Sequence, residues 1–236
     1  MADEKGIVMR RLSDGIGFIG ITTLVLLLAL TVLPVFAQSN VPADDLRKAW
    51  GFDVLISDGG IGAGGFYWRE ITPTIAGFIS LSVSESKDSQ EKEYMTIWGE
   101  KFIPGKINRF LVAPLHIGAQ YRLFKDQIMD NFRPFISVGI GPSLIYASPY
   151  EQSFFKALGN GKAYHTLGGF IGAGAYVGSD PSNLVGVNFR YYFVPYFSGI
   201  TSMIDAEKTT SENDLHFRRK KQFGGFFITF TFGSMR

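Results

Sequence analysis

Gly224-Gly225-Phe226-Phe227-Ile228-Thr229-Phe230-Thr231-Phe232 is the stretch that decides the fold. Read with a period of two, it puts Phe226, Ile228, Phe230 and Phe232 on one side. Phe227, Thr229 and Thr231 fall on the other. The first face is wholly apolar and rich in aromatics. The second is small and mostly polar. A strand standing between lipid and a polar barrel interior reads this way. So does a half-buried strand of a soluble β-sandwich, and this segment alone leaves both open.

The N-terminus separates them. Lys5, Arg10 and Arg11 form a basic region, and Gly15 to Leu33 is apolar apart from a few threonines. Val35-Phe36-Ala37 then satisfies the small-x-small rule for signal peptidase. This predicts a signal peptide over residues 1–37, with Met9 as an alternative start. The apolar run is also about as long as a transmembrane helix needs, so an uncleaved anchor is the other reading. Pro34 and the placing of Ala37 favour cleavage. A short segment, 38–46, then leads into a barrel domain over 47–236.

Composition agrees with an exported barrel. The chain holds 22 Phe, 10 Tyr and 28 Gly, and no Cys, which removes disulfide and thiolate chemistry. A formal charge of +2 is too small to point to nucleic acid. A mean hydropathy of +0.11 is too low for a helical membrane protein. After the signal no run of about 20 apolar residues remains, so any membrane crossing must use strands. Open sheet edges would leave N–H and C=O groups unsatisfied in lipid, which leaves a closed barrel.

Eight alternating segments can be marked out: 48–57, 61–70, 74–84, 109–124, 134–147, 166–178, 184–197 and the closing strand. Trp50, Phe52, Val54 and Ile56 give the first its apolar face, and Val185, Val187, Phe189, Tyr191 and Phe193 do so for the seventh. With the N-terminus in the periplasm, the turns near Thr72, Asp126 and Asp180 lie on that side. The long segments 85–108, 148–165 and 198–222 lie outside. Short turns inside and long loops outside is the outer-membrane pattern. Asp58-Gly59-Gly60 is an outer turn of unusual brevity, suited to glycine.

On these residues the chain resembles the small OmpA-type outer-membrane β-barrel family. The signal, the eight segments, the Gly168–Gly174 run, Phe132-Arg133-Pro134-Phe135 and the closing Phe226–Phe232 carry the likeness. It implies an all-β, eight-stranded antiparallel up-and-down transmembrane barrel in the outer membrane of a Gram-negative bacterium. It also implies a monomer inserted by the barrel-assembly machinery, whose signal the closing aromatics resemble. Family members usually end on the terminal aromatic, whereas Gly233-Ser234-Met235-Arg236 follows Phe232 here.

Strand parity places Asp53, Glu70, His116, Gln120, Arg122, Asn188 and Arg190 on the inner face. An eight-stranded barrel is only wide enough for side chains to fill, so charges there must pair. Arg122 and Arg190 are expected to be neutralised by Asp53 and Glu70. The cluster reads as a satisfied polar plug, with a gate or proton site as the alternative. Ser137, Gly139, Gly141 and Ser143 make room for the long side chains. Tyr146, Tyr150, Tyr191, Tyr192 and Tyr196 suit an interfacial girdle.

Catalytic readings find little support. His116, His165 and His216 lack the His-x-Ser context of deacylase barrels, and His165 has no visible partner. No metal spacing or phosphate loop is present, so no catalytic residue, metal or cofactor is assigned. Arg218, Arg219, Lys220 and Lys221 sit above the expected lipid boundary and suit lipopolysaccharide phosphates. An ordinary solvated rim is the equal alternative. The sequence therefore predicts a structural or surface-interaction role, with outer loops meeting outer-membrane lipid, lipopolysaccharide or partners. A narrow pore and an outer-leaflet lipid-modifying enzyme are the alternatives.

Overall fold

A computed structural model describes residues 46–95, 97, 101–128, 131–178, 182–205 and 215–236. The expected signal peptide, and all of the 38–46 segment but Leu46, lie outside the described residues. The barrel wall has eight strands: β1 Lys48–Ser57, β2 Gly60–Glu70, β3 Ile75–Glu85, β6 Asn108–Arg122, β7 Phe132–Pro149, β8 Lys162–Val177, β9 Asn183–Phe193 and β12 Phe226–Met235. They close in the order β1-β12-β9-β8-β7-β6-β3-β2, antiparallel throughout. Closure leaves no wall strand with an unpaired edge, which is what lipid demands of a backbone.

The alternation read from sequence sets the facing. Trp50, Phe52 and Ile56 on β1, Ile79, Leu81 and Val83 on β3, and Ile136, Val138 and Ile140 on β7 all face outward and are exposed. Phe226 and Phe232 are exposed, while Phe227, Thr229 and Thr231 between them are buried. Cross-strand pairs tie the outer face together: Phe52 stacks on Phe232 at 5.3 Å between ring centroids. The tight turn at 58–59 is closed by Gly60 at φ +135°, a conformation that a side chain would strain.

One end of the barrel is plain, with short turns after β2, β6 and β8. The other carries a crown, and here the sequence reading needs correction. The seventh strand stops at Phe193 rather than at 197. Pro195, which has no N–H to give, starts a separate ribbon: β10 Pro195–Ile204 pairs with β11 Phe217–Gln222. The described residues of the segment 198–222, expected to be a loop, are thus largely the two strands of this ribbon. The 85–108 connection holds a two-residue pair, β4 Tyr94–Met95 with β5 Lys101–Phe102, and the 148–165 connection holds a short helix, α1 Phe154–Gly159. The turn expected over 125–133 also loses its last two residues to β7, which begins at Phe132.

The lumen is more apolar than the sequence suggested. Trp68, Phe135, Tyr176, Leu184 and Met235 pack at the plain end. Leu55, Phe170, Tyr192 and Phe227 pack further along. Phe110, Val112, Ile145, Val194, Ile200 and Phe223 form a cap under the crown. Tyr192, expected in the outer girdle, is 5% exposed and inside; its neighbour Tyr191 is 49% exposed and outside. Adjacent residues of a strand cannot share a face.

Candidate functional site

The central layer of the lumen is built on one ion pair. Asp53 on β1 and Arg190 on β9 approach to 2.9 Å, with β12 lying between their strands. Thr231 on that strand donates its hydroxyl to the other oxygen of Asp53 at 2.6 Å. Arg190 also donates to the Tyr192 hydroxyl at 3.3 Å and lies over the Phe170 ring, 5.2 Å from its centroid. Gly172 faces Arg190 in register, and a Cβ there would meet the Arg190 Cγ and the Ser137 Oγ at 3.0 Å. Glycine at this point makes room for the guanidinium stem.

The other residues singled out from sequence divide into two groups. Gln120 accepts the Tyr176 hydroxyl at 3.0 Å, and Asn188 is buried at 2% exposure. His116 is wedged edge-on against Phe170 at 5.3 Å, packed as an aromatic. Glu70 and Arg122 belong to the plain end, half-buried around a common cavity with Arg47 and Arg133. Glu70 accepts the backbone N–H of Arg47 at 3.1 Å. Parity could have found Arg133, which sits two residues before the inward-facing Phe135 and is buried. It was hidden by the charges around it, which read as a turn.

The crown is held by a second polar network. Lys106 and Glu91 meet at 2.5 Å with both side chains 4% exposed. Asp88 takes the Arg218 Nε at 3.2 Å and the Ser202 hydroxyl at 2.8 Å. Ser86 donates to the Phe223 carbonyl at 3.0 Å. Lys220 donates to the Lys87 carbonyl, and burial lowers its amine below the usual lysine value while the carboxylates of Asp88 and Glu91 pull the other way.

Strand alternation along β11 splits the four basic residues. Arg218 and Lys220 turn inward onto the segment 86–91, and Arg219 and Lys221 are exposed. An open groove of about 990 Å³ is lined here by Arg218, Arg219, Lys220 and Lys221 together with Asp58, Glu85, Asp88 and Glu91. Ile56, Tyr191, Phe226 and Ile228 also line it. The apolar belt of the wall thus runs up to a rim of mixed charge, in which Arg219 and Lys221 are the exposed cations of β11. His165 stands exposed on β8, away from this arrangement.

An apolar exterior on a closed strand barrel makes this a transmembrane barrel of the outer-membrane kind. No family model and no curated protein matches the chain. Among solved structures it is similar to OprG of Pseudomonas aeruginosa, an outer-membrane protein, at 10% identity over 81% of this chain and 95% of that one, with a TM-score of 0.46. It is also similar to the N-terminal barrel domain of Pseudomonas aeruginosa OprF, at 12% identity, 81% and 98% coverage, and a TM-score of 0.42. For Ail, the attachment invasion locus protein of Yersinia pestis, the figures are 10%, 80%, 95% and 0.37.

Proposed function

We propose that the protein is an outer-membrane anchor for a surface crown, and that the crown contacts lipopolysaccharide through Arg219 and Lys221. The supporting observation is the rim groove, where an apolar wall meets the exposed Arg219 guanidinium and Lys221 ammonium beside carboxylates that Arg218 and Lys220 face. An amphiphile with phosphates at one end and acyl chains at the other has the matching order of chemistry. Arg218 and Lys220 have a different part in this reading. They hold the ribbon that presents the outward pair.

A pore fits less well, because three cavities inside the wall, among the described residues, are small, at about 30, 20 and 10 Å³. The test is binding of lipid A to the purified protein in non-ionic detergent. Phosphorylated lipid A is expected to raise the melting temperature, and dephosphorylated lipid A is expected to leave it unchanged. Arg219→Gln with Lys221→Gln should remove the response. Equal responses to both lipids would sink the proposal.

A further inference from the structure

A row of cations crosses the outer face of the wall at the plain end. Lys48 on β1 stands opposite Arg69 on β2 in the ladder. On its other side Lys48 meets Arg236. The Lys48 N–H donates to the Arg236 carbonyl at 2.6 Å, and the Arg236 N–H donates to the Lys48 carbonyl at 2.7 Å. All three residues are exposed, on the same parity of their strands as the outward Trp50, Tyr67 and Phe232. Residues directly opposite in an antiparallel pair hold their Cβ atoms about 5 Å apart, where like charges repel. No carboxylate side chain among the described residues pairs with any of the three. A main-chain carboxylate at Arg236 would offset only one of the three charges.

The row also has a fixed place relative to lipid. One step towards the crown, Trp50 stands opposite Tyr67, and the two are 62% and 45% exposed. The next step brings the stacked rings of Phe52 and Phe232. At about 3.4 Å per residue, the outer face passes from apolar rings through a Trp–Tyr pair to three cations within about 14 Å. Amphipathic rings of this kind sit at headgroup level, so the cations stand at the depth of lipid phosphates.

We propose that Lys48, Arg69 and Arg236 form a headgroup site for an anionic glycerophospholipid of the leaflet opposite the crown. Its phosphate lies among the cations and its chains run along Trp50, Phe52, Tyr67 and Phe232. A phosphate relieves the repulsion within the row and accepts charge-assisted hydrogen bonds from it. A zwitterionic lipid brings an ammonium group of its own and matches the row less well. The site lies at the far end of the wall from Arg219 and Lys221, and its test is independent of theirs.

The experiment measures quenching of Trp50 by brominated lipid. The full chain carries Trp68→Phe and Trp98→Phe, which leaves Trp50 as its one indole. It is reconstituted in phosphatidylcholine vesicles, and brominated phosphatidylglycerol or brominated phosphatidylcholine replaces part of the host lipid. Phosphatidylglycerol is expected to be preferred at Trp50 by about fivefold or more, the worth of one cation at an anionic surface. Lys48→Gln with Arg69→Gln should bring the two lipids level. Both changes fall at exposed positions and remove like-charge repulsion. In phosphatidylcholine alone the double variant should therefore unfold in urea no earlier than its parent. Where it fails to insert, Arg69→Gln alone should at least halve the preference. Inorganic phosphate, matched to chloride in ionic strength, should leave the preference intact. Equal quenching by the two lipids in the parent protein would overturn the proposal. So would a preference that survives the loss of both cations, or one that free phosphate abolishes.

Discussion

Two of the buried ion pairs among the described residues have nearly equal chemistry and unequal support. Arg190–Asp53 spans 2.9 Å inside the wall, with side chains 12% and 4% exposed. Lys106–Glu91 spans 2.5 Å in the crown, with both at 4%. The first sits between strands whose backbones are paired on both sides along a closed barrel. The second ties residues on connections with little ladder of their own; Lys106 makes one isolated bridge, to Met203. The wall holds its pair in place whatever the pair contributes. In the crown, the pair is one of several contacts that hold the connection, beside those of Asp88 and Ser86. Loss of a partner should therefore strand a charge in the lumen but release a segment in the crown.

The largest effect is expected at Asp53. Replacing it with Ala leaves Arg190 without its carboxylate in a site that cannot open to water. Unfolding from detergent by urea should show a loss of about 3–5 kcal/mol. Asp53→Leu with Arg190→Met removes both charges and should recover most of it, because apolar replacements of a buried pair are often neutral. A double variant as unstable as Asp53→Ala would mean that packing, and not the stranded charge, sets the cost.

The wall itself is next. Phe230 pairs with Val54 and Val187 in the middle of its strand and belongs to the outward set. Phe230→Arg places a cation in lipid and should cost about 2–4 kcal/mol if it lies near the midplane. Thr229→Ser, one residue away on the lumen face, should cost little. Spin labels that report water at 228 and 230 and lipid at 229 would reverse the facing, and with it the account of the wall's stiffness.

At Lys106 the consequence should be local. Lys106→Met is expected to expose residues 86–95 to protease and speed their amide exchange, with the barrel's unfolding midpoint almost unchanged. A global loss as large as that of Asp53→Ala would erase the contrast between the two pairs. Crown and wall would then form one cooperative unit.

The same contrast explains what could be read from sequence. The wall is regular, so a period of two placed Phe52, Ile136 and Phe230 outward, and it put Asp53, Asn188 and Arg190 inward. The expected pairing of Arg190 with Asp53 followed from parity and the narrowness of the barrel. Tyr192 misled because aromatic character was weighed above parity. Arg133 misled because it closes a charged run. The crown was scarcely legible. Its hairpin pairs Ile200 with Lys220 and Met203 with Arg218 through two register shifts. Irregular pairing of a basic strand leaves no periodic hydrophobic trace. Nor does sequence reveal that Arg218 and Lys220 turn inward, because that depends on Asp88 and the Lys87 carbonyl, contributed by a distant connection.

The smallest effect is expected at Lys220, and it sharpens the view of the crown as a set of individually modest contacts. Burial lowers its amine below the usual lysine value of 10.5, so the folded crown holds that proton less tightly than the unfolded chain. The cost of the buried charge is present in full below the lowered value. It fades as pH rises from there to 10.5, because the amine is then neutral in both states. Lys220→Met removes this dependence, along with the bond to the Lys87 carbonyl. Thermal unfolding of the crown should therefore shift in favour of the wild type, relative to Lys220→Met, as pH rises towards the ordinary lysine value. Parallel curves across that range would show that the amine titrates as in water. Lys220 would then be solvated, and the inward half of β11 would no longer be part of what fixes the crown.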